Sequence, residues 1–275
     1  MTPGDLPAQT RRIVVISDTQ IPYEHRPAVA GLIRFIGDYQ PDEVVHIGDL
    51  MDYPQPSRWS KGSAAEYEGS VFADSDYAKK NFLHPLRDAY SGPVGVIEGN
   101  HDLRPRTYLA KYAPALADSG AFTLPSLLDF DGFGIRLLPD FYDVAPGWVM
   151  THGHLGKIAL SQVAGNTALG AAKRFGRSVV MGHTHRLGIG HHATGYDGRV
   201  SRTLTGFEVG HLMDTRKAGY LNGATANWQM GFGIVHATDK HVQVNAIAIS
   251  NRFVVDGRVY PLRIKPGGTH RRDAA

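Results

Sequence analysis

At 275 residues, 42% hydrophobic and 20% charged, with 32 glycines and 16 prolines, the chain has the composition of a compact globular protein and enough length for one large domain. It contains no cysteine, which excludes disulfide scaffolds, thiolate metal sites and cysteine nucleophiles, so any bound metal must be held by nitrogen and oxygen. The formal net charge of +3 argues only weakly for nucleic-acid binding, and no long apolar stretch stands out as a secretion signal or membrane span, so a cytoplasmic protein without membrane association is expected.

Taken in chain order, the first apolar run, Ile13–Ile16, reads as a buried strand and is followed by Asp18. From Pro27, the apolar positions Val29, Leu32, Ile33 and Ile36 repeat with helical spacing, and Pro41 lies just past the end. A second strand, Val44–Ile47, leads to Asp49. The polar stretch from Tyr53 to Ser91, with Pro54, Pro56 and Pro85, reads as a partly helical insertion near the site. A third strand, Val94–Ile97, leads to Asn100 and His101. The spacing then predicts a helix over 107–117, carrying Tyr108, Leu109, Tyr112 and Leu116 on one face and bent or divided at Pro114. Asp131-Gly132 carries the composition of a hairpin turn. Trp148–Met150 is a fourth strand, followed by His152. Lys157–Phe175 reads as a third helix, whose glycines and alanines imply close backbone approach. Ser178–Met181 is a fifth strand, ending at His183. Beyond His185 the pattern becomes antiparallel β structure, with Asp197-Gly198 and Asp256-Gly257 as hairpin turns. Without repeats or linkers, residues 11–264 are expected to form one domain, with residues 1–10 and 265–275 as flexible tails.

Each of the five strand runs ends in a small residue followed by Asp, Asn or His. In α/β sheets, loops beyond the carboxyl ends of strands converge, so Asp18, Gln20, Asp49, Asn100, His101, His152, His183 and His185 are expected to meet at one rim. Carboxylate, amide and imidazole donors in that number suit a pair of divalent cations, with Asp49 as the natural bridge. The two-residue spacing of His183 and His185 puts both rings on one face of an extended chain.

The ordered set Asp18-x-Gln20, Gly48-Asp49, Gly99-Asn100-His101-Asp102, His152 and Gly182-His183-Thr184-His185 resembles the motifs of the calcineurin-like metallophosphoesterases. The resemblance spans Ile13 to His185 and implies an α/β fold of two packed mixed β-sheets flanked by helices, in four layers. It implies Asp18, Gln20, Asp49 and His185 as ligands of one ion and Asp49, Asn100, His152 and His183 as ligands of the other. His101 would face the scissile phosphate as proton donor or charge partner, with Asp102 orienting its ring, and a hydroxide bridging the ions would be the nucleophile. Asn100 and Arg104 would contact substrate. The family usually has histidine where this chain has Gln20, and a neutral amide oxygen is a harder, weaker donor. That places Mn²⁺ ahead of Mg²⁺, Fe or Zn²⁺, and if Gln20 does not ligate, the first ion is labile.

The activity so implied is a metal-dependent phosphoric ester hydrolase, with phosphodiesters such as cyclic nucleotides or nucleic-acid fragments as small substrates. A nuclease, a phosphomonoesterase and a noncatalytic scaffold are the alternatives. A nuclease would need a continuous basic groove, whereas basic residues here are scattered along the chain, and a scaffold tends to lose the proton donor that His101 and Asp102 retain. Arg58, Lys61, Arg106 and Lys157 lie near motif residues and could reach a second ester group. His154 stands between supporting a ligand and simple surface exposure. His191, His192 and His211 read as solvent-facing, and Tyr53, Trp59 and Trp148 as packing residues.

Overall fold

The computed structural model describes residues 10–57, 60–218 and 224–262. In chain order the strands are β1 (Arg11–Ile16), β2 (Glu43–His46), β3 (Val94–Val96), β4 (Ile135–Leu137), β5 (Tyr142–Ala145), β6 (Trp148–Thr151), β7 (Ser178–Met181), β8 (Leu187–Tyr196), β9 (Arg199–Val209), β10 (Gly231–Ala237), β11 (Val242–Ala248), β12 (Arg252–Val255) and β13 (Arg258–Pro261). The α-helices are α1 (Arg26–Tyr39), α2 (Ala64–Tyr67), α3 (Val71–Ala78), α4 (His84–Ala89), α5 (Arg104–Tyr112), α6 (Leu124–Leu127) and α7 (Asn166–Phe175).

Two mixed sheets result, ordered β11-β10-β1-β2-β3-β4 and β5-β6-β7-β9-β8, with β12-β13 as a separate hairpin. β1 through β4 run parallel, as do β6, β7 and β9, so the motif-bearing strands of each sheet end on the same side. The apolar runs are continuous because both faces of the strands are covered. Val14, Ile16 and Val44 face an outer core shared with Val29, Leu32 and Ile36 of α1, while Ile13, Val15, Val45 and Ile47 face Met150, Val180 and Phe207 of the second sheet. On the far side of that sheet, Ala168, Ala171 and Ala172 of α7 pack on Val149, Val179 and Met181. The layers are therefore helix, sheet, sheet, helix. The small residues of α7 permit the close approach expected of them.

Three local expectations change. The second helix is α5, beginning at Arg104 with Pro105 in its first turn, and the chain continues past Ala113 as a 3₁₀ segment, Pro114–Ser119, since Pro114 has no N–H for the α ladder. The third helix is confined to Asn166–Phe175, because Gly165 takes a left-handed φ of 83° and the serine and threonine hydroxyls of Ser161 and Thr167 capture the backbone N–H groups of Val163 and Ser161. Asp131-Gly132 closes no hairpin. It follows α6, with Asp129 accepting from the Gly132 N–H, and leads into β4. The other two Asp-Gly pairs do join β8 to β9 and β12 to β13, with both residues at positive φ as a type I′ turn requires. The tail 265–275 lies outside the described residues, as do residues 1–9. No described helix is long and apolar enough to cross a membrane.

His46, the last residue of β2, supplies a pH test of this packing. It is buried, and its Nε2 meets Thr19 Oγ1 at 2.7 Å. Burial outweighs the attraction of Asp18 and Asp49 and lowers its pKa to about 3. The folded protein therefore keeps His46 neutral where an unfolded chain, with a pKa near ~6.5, takes up a proton. The stabilisation is complete above about pH 6.5 and falls toward acid, by about 2 kcal/mol at pH 5. Urea unfolding of His46→Gln should show a correspondingly shallower stability loss from pH 7 to pH 5; the same slope as wild type would contradict this.

Candidate metal centre

The ends of β1, β2, β3, β6 and β7 gather all the sequence-predicted ligands at one rim. Backbone hydrogen bonds stitch the first two loops together, Asp18 N–H to Gly48 O at 3.0 Å and Gln20 N–H to Asp49 O at 3.0 Å. Asp18, Gln20, Asp49, His183 and His185 all have left-handed backbone, with φ from 50° to 68°. Such conformations cost about 1 kcal/mol or more each for residues with a Cβ and are held only by surrounding structure. Gly99 shows how tight that structure is: a Cβ there would fall onto the carboxylate and backbone nitrogen of Asp49.

Each of the two central carboxylates has one oxygen anchored by protein donors. Asp18 Oδ2 accepts from Ser17 Oγ at 2.5 Å and from the His183 N–H at 2.9 Å. Its Oδ1 is buried and faces His185 Nε2 at 3.2 Å. Gln20 completes this group, its amide nitrogen 3.0 Å from the same His185 Nε2 while its Oε1 is buried and, among the described residues, unpartnered. A half-turn of the amide exchanges the two atoms and presents oxygen to the group.

In the second group, Asp49 Oδ1 accepts from the His101 N–H at 2.8 Å, and Oδ2 lies 3.3 Å from His152 Nε2. Asn100 Oδ1 is 3.2 Å from the same nitrogen. His152 Nδ1 donates to Ile47 O at 3.0 Å, which fixes the ring and leaves Nε2 as the inward atom. Ligand atoms of Asp49, His152 and His183 lie within 4.8 Å of one another and could hold a divalent cation.

The electrostatics fit such a cation. Asp18 and Asp49 are buried, and among the described residues neither has a lysine or arginine ion pair. Burial opposes ionisation of Asp18, but His185 and His152 outweigh it and hold the carboxyl down at about 2. Burial likewise opposes ionisation of Asp49, which His152 and His101 hold well below its ordinary value. Reciprocally, burial opposes a proton on His152, yet Asp49 raises its pKa to about 9. Positive charge between these groups is thus demanded by the acids. His183, by contrast, is lowered to about 4 by burial and by His152, and offers a neutral ring.

The surroundings of His101 differ from expectation. Its Nδ1 bonds Asp52 Oδ1 at 2.7 Å, and among the described residues Asp102 makes no hydrogen bond to the ring. The Asp102 carboxylate is buried and accepts backbone N–H groups from Met51 and Gly99 at 2.8 Å and Leu50 at 3.4 Å, so it ties two loops together. Burial and the charge of Asp49 push Asp102 up to about 7. Asp52 is the functional candidate the motifs miss; its only sequence signal is an acid three residues beyond Asp49. Burial disfavours a charged His101, but Asp49 and the bond to Asp52 raise its pKa overall. Arg104 donates to the Asp52 carbonyl at 2.5 Å, pairs with its Oδ2 at 3.2 Å, and places Nη2 3.2 Å from His101 Nε2.

His211 is a second correction. It is buried, not solvent-facing, and its ring stacks on His185 with centroids 5.2 Å apart. His154 packs beside His152, centroids 5.3 Å apart, with neither nitrogen hydrogen-bonded among the described residues. His191 and His192 lie on β8 away from the cluster. Tyr53 is buried and bonded to Ser75, and Trp148 packs between the sheets. Arg106 pairs with Glu98, and Lys157 lies in the segment before α7. Arg58 and Trp59 fall outside the described residues.

The calcineurin-like phosphoesterase profile matches residues 11–187. The chain is 55% identical over 253 residues to the Gene 54 protein of Mycobacterium phage D29, covering 91% of this chain and 99% of the relative. It is 53% identical to the Gene 54 protein of Mycobacterium phage L5 over the same shares. Among solved structures, a Vps29 mutant from Entamoeba histolytica is similar at 14% identity and a TM-score of 0.42, over 90% of this chain and 95% of that one.

A cation held by Asp49 must also stabilise the fold. Adding Mn²⁺ to chelator-treated protein at a hundredfold excess over its Kd should raise the unfolding free energy by about 2.7 kcal/mol. Asp49→Asn should lose most of that increment, and Gln20→His should raise the increment given by Zn²⁺ relative to Mn²⁺. Equal Mn²⁺ increments in wild type and Asp49→Asn would rule out Asp49 as a ligand.

Proposed function

The chain belongs to the calcineurin-like phosphoesterase family, and from that premise we propose that it is a phosphodiesterase that binds two divalent ions, one at Asp18, Gln20, Asp49 and His185 and one at Asp49, Asn100, His152 and His183. Bound there, the ions would supply Lewis-acid activation and charge for an in-line displacement at phosphorus. Mn²⁺ suits this donor set of oxygens and imidazoles, with an amide where a further imidazole is usual.

The observation that carries the reading is the separation of two side-chain sets at one rim. Asp18 and Asp49 turn their free oxygens into the histidine cluster, while Asp52, His101 and Arg104 form a second, hydrogen-bonded set beside Asp49, with His101 Nε2 3.8 Å from Asp49 Oδ2. In the free protein, Arg104 donates to His101 Nε2 and Asp52 holds the Nδ1–H. A negatively charged phosphoryl group offers Arg104 better acceptors, and Asp49 and Asp52 favour a second proton on the ring. His101 then delivers that proton from Nε2 to the leaving oxygen while Asp52 keeps the ring aligned. A cleft of about 540 Å³ opens directly from Asn100 and His101 and leaves room for the second ester group of a diester.

With Mn²⁺, the protein should hydrolyse bis-p-nitrophenyl phosphate faster than p-nitrophenyl phosphate. Absence of turnover of either ester with Mn²⁺, Mg²⁺ and Zn²⁺ would overturn the proposal. His101→Asn should cost roughly 10²–10⁴ in kcat, most on esters with poor leaving groups. Asp52→Asn should lower kcat in the same leaving-group-dependent way, and Asp102→Asn should chiefly lower the unfolding temperature. The reverse pattern for the two aspartates would return the orienting role to Asp102.

A further inference from the structure

Beyond Asn100 and His101, the cleft is walled by residues outside the motif set, Lys61, Lys111 and Tyr112 among them. Lys61 comes from the insertion after β2, and Lys111 and Tyr112 form the last turn of α5. Lys61 Nζ rests over the Tyr112 ring, 3.3 Å from its centroid, and Lys111 Nζ is 5.2 Å from the same centroid. Among the described residues neither lysine forms an ion pair, and no carboxylate lines the cleft. Glu66, whose carboxylate feels the charge of Lys61, spends its oxygens on the Tyr108 hydroxyl and the Gly62 N–H, each through one hydrogen bond. The Tyr112 ring, itself packed on Tyr108 with centroids 4.8 Å apart, thus holds two cations without neutralising them. Arg104, at the inner end, is already paired with Asp52.

We propose that this cleft is a track for a single nucleic-acid strand, in which Lys61 and Lys111 receive phosphates on one side of the scissile phosphate. The spacing selects this over a nucleoside diphosphate. Arg104 and Lys111 are separated by seven residues of helix, about 10 Å along the axis. A strand supplies phosphates every ~3.4 Å of helical rise or more when extended, so it can span from His101 to Lys111, whereas two directly linked phosphates cannot. The position of the cleft rests on the phosphodiesterase reading, but its affinity for a strand does not require turnover.

The test is fluorescence anisotropy of a labelled single-stranded oligodeoxynucleotide with the full-length protein in chelator. Wild type should bind, and Lys61→Ala/Lys111→Ala should bind roughly tenfold more weakly with a slope of log affinity against log salt smaller by about 1.4, at ~0.7 per lost phosphate contact. Lys240→Ala, in the turn between β10 and β11 at the opposite end of the sheet, controls for general charge and should keep the wild-type slope. An unchanged slope in the double variant, or an equal fall in Lys240→Ala, would overturn the proposal. Tighter competition by a nucleoside diphosphate than by an unlabelled oligonucleotide would overturn the strand assignment. Oligonucleotide binding that meets these expectations in a protein unable to hydrolyse bis-p-nitrophenyl phosphate would sink the catalytic reading and leave the track standing.

Discussion

The structure is organised around two ionised carboxylates, Asp18 and Asp49, buried together with, among the described residues, only histidines as counter-charges. Removing such groups from water costs several kcal/mol per ion, and the protein offsets this in a divided way. One oxygen of each acid is satisfied by fixed donors: Ser17 and the His183 N–H for Asp18, the His101 N–H for Asp49. The other oxygen is turned toward imidazole. The His183 and His101 donors come from other motifs, so neither carboxylate is positioned by its own loop alone. This mutual bracing also maintains the left-handed backbone at five of the candidate ligands, which an isolated loop would relax.

Strands are readable in this chain because the sheets are covered on both faces. Val14 and Ile16 point to the helices and Ile13 and Val15 to the second sheet, so β1 needs an unbroken apolar run, and Val179–Met181 of β7 alternate likewise between α7 and the first sheet. A run of that kind ends where the chain reaches the rim, which makes the polar residue after it conspicuous. Helix ends were less legible because they depend on competition for individual N–H groups. Nothing in the composition of 157–165 shows that Ser161 and Thr167 will take those groups, or that Gly165 will adopt the left-handed conformation that delays α7.

The exchange of roles between Asp52 and Asp102 has the same origin. Adjacency in sequence makes Asp102 the natural partner of His101, but successive side chains in a tight turn leave it in different directions. That of Asp102 turns inward, to amides of Leu50, Met51 and Gly99, and the ring of His101 turns outward, to Asp52 from another loop. Because Met51 and Leu50 precede Asp52 directly, Asp102 positions the Asp52–His101 pair. Asp102 therefore reaches the chemistry through the backbone, holding the loop on which Asp52 stands.

α5 connects the two ends of the site in one rigid element. Its first residue, Arg104, is fastened to Asp52 and His101, and its last turn carries Lys111 and Tyr112. A helix keeps those groups at a fixed separation, whereas the insertion that contributes Lys61 meets the helix through the face of Tyr112 and through the Tyr108–Glu66 hydrogen bond. The basic residues that look scattered in the sequence are thereby drawn to one side of the cleft. What a linear reading of charge misses is that an aromatic ring can hold ammonium groups beside one another without supplying the carboxylate that would cancel them.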